Sequence, residues 1–346
     1  MTSIASVTGG VDTHLDVHVA AALDERGGLL GTHSFPTTPA GYRALVAWLR
    51  AFGPVALVGV EGTGSYGVGL ARHLRAESIA IVEIDRPNRA KRRQKGKSDT
   101  LDAISAARAA HSGDATGQAK TRDGNVEGIR ALRVARVSAQ KARTQALNQL
   151  RSLVSTAPDE LRGKLRDLSI AELTATTAAM RPGTTLGMDN ATKVAMRSLG
   201  RRVRALEAEV AELDAMLAPL VAVTAPKLLA HYGVGIETAA ALLVAAGDNP
   251  DRIRSEATFA RLCGAAPIPA TSGKTQDRHR LHRGGDRQAN SALWHIALTR
   301  MSSDPRTRAY VLRRTDEGLT KRDVMRCLKR YIARELFADL PELLVA

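Results

Sequence analysis

Four carboxylates stand at positions where they could bind divalent metal ions. Asp12 follows Gly9-Gly10-Val11, and Glu61 directly follows the apolar stretch 55–60. Asp99 and Asp102 are three residues apart, so on a helix they face the same side. Two Mg²⁺ ions about 4 Å apart need several oxygen ligands to clamp the attacking and leaving oxygens of a phosphodiester. The four carboxylates together predict a site for metal-assisted phosphodiester chemistry, with Mg²⁺ as the expected ion and Mn²⁺ as the possible substitute.

The N-terminal part of the chain has the pattern of a mixed α/β domain that would position these carboxylates. Short apolar or alternating stretches predict strands over residues 5–13, 17–24, 29–35, 55–60 and 79–84. Helical spacing predicts helices between the last three strands, over residues 41–52 and 68–76. This order is typical of an RNase H-like (RuvC-like) α/β fold, in which the strands that end near Asp12 and Glu61 are neighbours. An alanine-rich helix after Ser98 would add Asp99 and Asp102.

Each carboxylate taken alone also has an ordinary structural interpretation. Asp12 could begin a turn, Glu61 could be solvated at a strand end, and Asp99 could help to cap its helix. Other acids compete for the role of ligand, and among them Asp85 is the preferred reserve: Asp16, Asp24, Glu83 and Asp85. The order of elements that would bring the first four together favours the metal site.

The composition predicts a nucleic-acid partner. The chain of 346 residues has a formal charge of +15, which points to a polyanion through phosphate neutralisation. With four Phe and two Trp, platforms of stacked aromatic residues are not expected. Two cysteines are too few for a disulfide framework, which favours a reducing compartment. Since no apolar run is long enough for a membrane span and no signal pattern is visible, we expect a cytoplasmic, nucleoid-associated protein without membrane contact.

Two basic segments are candidates for contact with phosphates. In residues 89–97 six of nine side chains are basic: Arg89, Lys91, Arg92, Arg93, Lys95 and Lys97. A predicted helix over residues 129–154 contains no Asp or Glu, and its candidate contacts are Arg130, Arg133, Arg136, Lys141 and Arg143. A surface of one sign favours nucleic-acid binding, although such a face can also be merely solvated.

A heptad pattern predicts a coiled-coil helix in the middle of the chain. Apolar residues alternate at spacings of three and four, and they are Met196, Leu199, Val203, Leu206, Val210, Leu213, Leu217 and Leu220. Val and Met in one core position and Leu in the other favour a parallel two-stranded homodimer. The alternative is a helix that folds back on its own chain. A recombinase that exchanges four strands would further need a tetramer on DNA.

The remainder of the chain is predicted to be helical. The segment His231-Tyr232-Gly233-Val234-Gly235-Ile236 resembles the turn of a helix-hairpin-helix, which offers backbone N–H groups to a phosphate. We therefore expect a catalytic RuvC-like domain over residues 1–155, a helical linker with the coiled coil over 156–225, and an all-α domain over 226–346.

The acidic motifs resemble those of a known family, the insertion-sequence transposases with a RuvC-like Asp-Glu-Asp-Asp (DEDD) domain. The similar segments are Gly10-Val11-Asp12, Glu61-Gly62-Thr63-Gly64-Ser65-Tyr66 and Lys97-Ser98-Asp99-Thr100-Leu101-Asp102-Ala103. The resemblance implies that Asp12, Glu61, Asp99 and Asp102 are metal ligands. It further implies that a noncoding bridge RNA selects donor and target DNA by base pairing, so that the protein recognises backbone and shape.

The C-terminal half is similar to the second domain of the same family. The similar segments are Gly233-Val234-Gly235, Phe259-Ala260-Arg261-Leu262-Cys263-Gly264-Ala265-Ala266-Pro267, Thr271-Ser272-Gly273-Lys274 and Arg283-Gly284-Gly285-Asp286-Arg287. The resemblance implies that Ser272 is the nucleophile that attacks DNA and forms a phosphoserine link. Thr271 replaces the more usual serine, and Lys274 stands where a second glycine is usual. The side chains expected near the phosphate are Lys274, Arg278, Arg280, Arg283 and Arg287.

Two other functions fit parts of the sequence. A structure-specific endonuclease of the Holliday-junction resolvase type would use the same carboxylates with water as the nucleophile. A non-catalytic nucleic-acid-binding scaffold would use the basic charge alone. If Ser272→Ala leaves DNA cleavage intact, the protein is a resolvase rather than a transposase. If Asp102→Asn leaves every activity unchanged, the protein is a scaffold.

Overall fold

The computed structural model describes residues 6–84, 98–115, 117–185, 187–249, 252–271, 279–282 and 284–340, and the chain divides into two compact units. The first unit comprises Met1–Arg122 with Gly247–Arg252, and the second comprises Asp123–Ala246 with Ile253–Ala346. This division differs from the predicted domain boundary at residue 155. The long helix that begins at Asn125 packs with the helices of the second unit and belongs to it.

The first unit is built on a five-stranded mixed sheet. Its strands are β1 (Val7–Thr13), β2 (Val17–Leu23), β3 (Leu29–Pro36), β4 (Val55–Glu61) and β5 (Ile81–Ile84). They lie in the order β3-β2-β1-β4-β5. The strand β1 pairs antiparallel with β2 and parallel with β4, and β5 is parallel to β4. The strands that carry Asp12 and Glu61 are therefore neighbours, as the sequence predicts.

Helices cover both faces of this sheet. They are α1 (Pro39–Arg50), α2 (Val68–Ala76) and α3 (Asp99–His111). The helices α1 and α2 pack on the face that carries Val11 and Val60. The alanines of α3 pack on the opposite face, against residues such as Ala21 and Ile84. Because side chains alternate along a strand, Asp12 and Glu61 share the face that α3 covers.

The second unit is helical, apart from a two-stranded hairpin. Its elements are α4 (Asn125–Thr156), α5 (Asp159–Leu165), α6 (Ile170–Ala178), α7 (Met188–Thr224), α8 (Pro226–Ala230), α9 (Ile236–Ala246), α10 (Glu256–Leu262), β6 (Pro267–Pro269), β7 (His279–Leu281), α11 (Arg287–Ser303), α12 (Pro305–Asp316) and α13 (Lys321–Phe337). A mixed α/β N-terminal sheet followed by a helical region is thus confirmed. None of the helices in the part of the chain that is described has the length and hydropathy of a membrane span.

The heptad seam of α7 lies against α4 of the same chain. Met196 packs with Leu150 near one end of the pair, and Leu217 packs with Ile129 near the other, so the two helices are antiparallel. Together with Val203, these two seam residues are fully buried within one chain. The described packing is that of a helix that folds back on its own chain, and these side chains are not available for the parallel homodimer predicted from the heptads. The apolar stripe of α7 is thus the surface that packs against another helix, and that helix is α4.

The glycine turn predicted from the sequence lies between α8 and α9. Gly233 has a φ of +80°, which favours glycine. The N–H of Val234 donates to the carbonyl of His231, and the N–H of Gly235 donates to Thr238 Oγ1. Two of the N–H groups that a phosphate would need are therefore already used within the turn.

His18, in β2, is an unusual group in the core of the first unit. Its side chain is completely buried, and neither ring nitrogen has a hydrogen-bond partner. The ring stacks on Tyr42 with centroids 5.7 Å apart. Burial lowers the pKa of His18 to about 4, so the ring is neutral near pH 7.

We expect His18→Phe to weaken the pH dependence of stability. The folded pKa is about 4 and the ordinary pKa of histidine is 6.5, so the unfolded chain binds the proton more tightly. The contribution of neutral His18 to the free energy of unfolding is therefore complete above pH 6.5 and is lost as the pH falls towards 4. Between pH 7 and pH 4.5 the variant should lose about 2 kcal/mol less free energy of unfolding than the wild type, as measured by urea denaturation. Equal pH dependence in His18→Phe and in the wild type would contradict the assignment.

Candidate metal centre

Two glycines let α3 approach the sheet closely beside Asp12 and Glu61. Gly10 and Gly59 are paired in register on β1 and β4, each two residues before one of these acids. A Cβ on Gly10 would lie 2.0 Å from the backbone nitrogen of Ala107, and one on Gly59 would lie 2.8 Å from the Ala106 carbonyl oxygen. Any side chain at either position would therefore displace α3. The glycine pair thus sets how far the acids of α3 lie from those of the sheet.

Asp12, His14 and Asp99 form the tightest cluster of possible metal ligands among the described residues. His14 Nε2 lies 3.1 Å from Asp12 Oδ2 and 3.5 Å from Asp99 Oδ1. One ligand atom from each residue lies within 4.8 Å of the others. Asp12 is buried, whereas Asp99 and His14 are partly exposed, so the cluster opens to solvent on one side.

Asp102 and Glu61 extend this cluster. Asp102 is buried one turn after Asp99, and its charge acts on Asp12. Glu61 follows Val60, which pairs in register with Val11, so Glu61 and Asp12 are adjacent across the two strands. Thr13 Oγ1 donates to the Glu61 carbonyl at 2.8 Å and ties the two strand ends together. The structure therefore places three predicted ligands close together and the fourth on the adjacent strand.

The electrostatics of Asp12 fit a site for a cation. Burial raises the pKa of Asp12, the charges of Asp102 and Asp99 raise it further, and His14 opposes this rise. A carboxylate that is destabilised by burial and by two like charges is stabilised when a cation binds among them. Carboxylate oxygens and an imidazole nitrogen are donors that divalent metal ions accept. This donor set fits a divalent metal ion.

His14 was not predicted as a member of the site. It lies two residues after Asp12, just past the end of β1, and the alternation of a strand places residues two apart on the same face. The Asp-x-His spacing at a strand end was therefore the available signal. It is weak, because such spacings are common in sequences without metal.

The competing acids have other roles or other positions. Asp24 accepts hydrogen bonds from the N–H groups of Arg26 and Gly28 and so stabilises the turn before β3. Glu83 accepts a hydrogen bond from Thr63 Oγ1, and Asp16 is exposed. Ser98 is the residue before α3, but its side chain makes no capping hydrogen bond.

Some predicted residues lie outside the described residues, so the structure does not place them. They are Asp85 and Ser272 together with the basic residues Arg89, Lys91, Arg92, Arg93, Lys95, Lys97, Lys274, Arg278 and Arg283.

Most arginines predicted as phosphate contacts on α4 are paired with carboxylates instead. Arg133 is buried and donates to Glu237 on α9, and Arg136 donates to Asp214 on α7. The guanidinium of Arg143 lies 2.6 Å from Glu207. Arg130 pairs with Glu127 on its own helix. The positive charge of α4 is therefore largely balanced within the second unit, and three of the four acids that balance it lie far away in sequence.

Three of the predicted basic residues remain exposed. Lys141 lies on α4, Arg280 on β7 and Arg287 at the first position of α11. No carboxylate among the described residues forms a salt bridge with any of them. These side chains are therefore open to an external anion.

Comparison with known proteins identifies the family. Residues 9–157 match a transposase family named for its DEDD motif and for IS110, and residues 225–312 match the family described as Transposase IS116/IS110/IS902. The two matches lie in sequence order and together cover more than half of the chain. The chain belongs to the IS110 family of insertion-sequence transposases.

Individual relatives are similar over shorter stretches. The chain is 34% identical over 137 residues to an uncharacterised protein of insertion element IS110 from Streptomyces coelicolor, which covers 40% of this chain and 32% of the relative. It is 29% identical over 113 residues to an uncharacterised protein of insertion element IS900 from Mycobacterium paratuberculosis, which covers 33% of this chain and 28% of the relative. The alignments thus span about a third of the length of these relatives.

We expect Asp12→Asn to stabilise the metal-free protein and to remove its response to divalent ions. The substitution removes a carboxylate that burial and two neighbouring acids destabilise, so the melting temperature in EDTA should rise by roughly 2–4 °C. Saturating Mg²⁺ or Mn²⁺ should raise the melting temperature of the wild type, because a ligand stabilises the state that binds it. Differential scanning fluorimetry with and without metal measures both effects.

Asp16→Asn is the matched control for this experiment. Asp16 is an exposed acid four residues further along, and its variant should keep the wild-type response to metal. An equal metal-induced shift in Asp12→Asn and in the wild type would show that Asp12 is not a ligand.

Proposed function

We propose that the protein is a DNA transposase that cleaves and exchanges DNA strands with a metal site on the α3 face of the sheet. The observation that carries this proposal is the gathering of Asp12, Asp99 and Asp102, with Glu61 on the adjacent strand, in a chain of the IS110 family. Four carboxylates at one place are costly for stability, and metal-assisted phosphodiester chemistry is the use that fits them.

We also infer that the first unit is RNase H-like, of the RuvC type. Support comes from the strand order β3-β2-β1-β4-β5, with three antiparallel strands followed by two parallel ones. The helix α3 carries two acids to the face where β1 and β4 carry one each. This arrangement is the one that the three acidic motifs, with their four carboxylates, require.

Asp12, Glu61, Asp99 and Asp102 are the proposed ligands, with His14 as an additional donor. Mg²⁺ is the proposed ion, two ions fit the number of carboxylates, and Mn²⁺ is the substitute. A bound metal would stabilise negative charge on the phosphate during the reaction. The chain's own contribution is to hold the four carboxylates at fixed positions on rigid elements.

Ser272 is the proposed nucleophile, on the basis of the family motif. Its Oγ would form a bond to the phosphorus while the bond from phosphorus to a deoxyribose oxygen breaks. The hydroxyl proton leaves to a base, and the released oxygen takes up a proton. A phosphoserine link conserves the energy of the phosphodiester, so that the second strand can be joined without another energy source.

The proposed partners are donor and target DNA, with a noncoding bridge RNA as the guide. The net charge of +15 supports a polyanionic partner, and the family supports DNA. Guidance by RNA rests on the family resemblance. A dimer rests on the heptad pattern of α7, and a tetramer on DNA rests on the need to hold several active sites together. Within one chain Met196, Val203 and Leu217 of this seam are buried, whereas the other seam residues are partly exposed.

We expect Ser272→Ala to abolish the covalent protein–DNA adduct and to reduce strand cleavage by at least about 10³-fold. Asp102→Asn should also abolish cleavage, because it removes a proposed metal ligand. Both effects can be measured with end-labelled donor DNA and bridge RNA in Mg²⁺, followed by denaturing electrophoresis with and without protease.

Thr271→Ala is the matched control, because it removes the neighbouring hydroxyl and should leave the adduct intact. If Ser272→Ala cleaves DNA at the wild-type rate and Asp102→Asn does not cleave it, water is the nucleophile. The protein is then an endonuclease of the resolvase type. If neither variant changes any activity, the protein is a scaffold.

A further inference from the structure

We propose that a cavity in the second unit, whose wall includes Lys329, binds a backbone phosphate of a nucleic-acid strand. The cavity has a volume of about 750 Å³ and lies among β7, α11 and α13. Its wall includes Arg280, Arg287, Asn290, Trp294, Arg326 and Lys329. The choice of a nucleic acid as the ligand rests on the proposed function, whereas the site itself rests on the contacts described below.

Lys329 is a buried cation without a counter-ion among the described residues. The residue is 8% exposed, and its Nζ donates to Asn290 Oδ1 at 3.0 Å. No salt bridge to a described carboxylate accompanies that contact. Burial lowers the pKa of Lys329, and the charge of Arg326 lowers it further. A buried charge with one neutral partner is costly, and an anion in the cavity would supply the missing charge.

Asn290 holds the ammonium group of Lys329 in place. The Asn290 Nδ2 donates to the carbonyls of Cys263 at 2.8 Å and of Gly264 at 3.1 Å. These two bonds use the donor side of the amide, so its oxygen is directed towards Lys329. The lysine is therefore fixed to the end of α10, and its conformational freedom is already reduced before a ligand arrives.

The floor of the cavity is formed by backbone in close contact. Gly264 and Gly285 touch, since a Cβ on Gly285 would lie 2.2 Å from the Gly264 nitrogen. The N–H of Asp286 donates to the carbonyl of Leu262 at 2.6 Å and joins the same two segments. A cavity with such a floor keeps its shape without a ligand, as a binding pocket requires.

The charge of the cavity wall is of one sign. No Asp or Glu is among the described residues that form the wall. Arg280 and Arg287 are exposed and have no carboxylate partner in the described part of the chain, and Arg326 has one, Asp323 at 2.8 Å on its own helix. By contrast, four arginines of α4 are paired with acids. Arginine and lysine side chains together are the usual ligands of a phosphate group.

A phosphate that belongs to a strand fits this cavity better than a free ion. The cavity is larger than a single phosphate needs and is open to solvent. Trp294 stands on its wall, 41% exposed, where its ring can contact a sugar or a base of a bound strand. The sugar or the base next to a phosphate bound at Lys329 could therefore contact the Trp294 ring.

Trp294 makes the proposal measurable in the full-length protein. The chain has two tryptophans, and Trp48→Phe leaves Trp294 as the only one. In this background and in EDTA, so that no strand is cut, Trp294 fluorescence is titrated with single-stranded DNA and RNA of about ten nucleotides and with orthophosphate. We expect a saturable change with the oligonucleotides and competition by orthophosphate at much higher concentration.

Lys329→Met, in the same background, separates a binding role from a structural one. We expect the affinity for the oligonucleotide to fall by about 10- to 100-fold, the loss that corresponds to one charge-assisted hydrogen bond. We expect the melting temperature without ligand to stay equal or to rise, because a buried unbalanced charge is removed. Lys321→Met on the same helix is the control, and Lys329→Arg should retain binding to within about threefold.

Binding by Lys329→Met with wild-type affinity would overturn the proposal. So would a fluorescence response to orthophosphate without any to either oligonucleotide, or a lower melting temperature in Lys329→Met with unchanged affinity. Preference for DNA or for RNA identifies the strand that occupies the cavity. If Ser272→Ala forms as much covalent adduct as the wild type, Ser272 is not the nucleophile, but the result of the cavity titration is unaffected. A failure of the proposed function is therefore distinguishable from a failure of phosphate binding in the cavity.

Discussion

The close approach of α3 to β1 and β4 is the constraint on which the candidate metal centre depends. Gly10 and Gly59 lie directly under α3, and a methyl group on either would collide with the backbone of the helix. The alanines of α3 complete this contact, because larger side chains would hold the helix further away. One turn before the contact, the helix carries Asp102 and Asp99 to the level of Asp12. The same small residues that pack the helix therefore place its acids.

The arrangement of charge separates structural from functional groups. In the second unit, Arg133, Arg136 and Arg143 are matched by acids from other helices, and such pairs join α4 to its neighbours. In contrast, Asp12 stands among like charges in the first unit, and Lys329 stands without a counter-ion in the described part of the second. Unbalanced buried charges reduce stability, so their presence indicates ligands of the opposite sign. A metal cation suits the first place, and a phosphate anion suits the second.

Much of the first unit and its site could be predicted from the sequence, because strand alternation, apolar runs and glycine turns are local signals. The pairing of Asp12 with Glu61 followed from the order of elements, and the joint placement of Asp99 and Asp102 followed from helical spacing. The remaining features depend on contacts between distant residues. The heptads of α7 predicted a helix partner but not its identity, which is α4. The basic pattern of α4 likewise did not reveal acids such as Glu237 that lie opposite in space. His14 and Lys329 were missed because one polar residue near a strand end, or one lysine in a basic helix, is not informative until its surroundings are known.

If the α3 contact builds a divalent metal site, Gly59→Ala should weaken the binding of Mn²⁺. The added methyl group would lie 2.8 Å from the Ala106 carbonyl and must displace α3, whereas Gly31→Ala on β3 adds a methyl in ordinary contact at 3.7 Å. Electron paramagnetic resonance can count free Mn²⁺ in the presence of each protein, and circular dichroism can verify that each is folded. We expect folded Gly59→Ala to lose at least about tenfold in Mn²⁺ affinity, equal to about 1.4 kcal/mol, and Gly31→Ala to bind as the wild type does. Equal Mn²⁺ affinity in all three proteins would show that the α3 contact does not build the metal site.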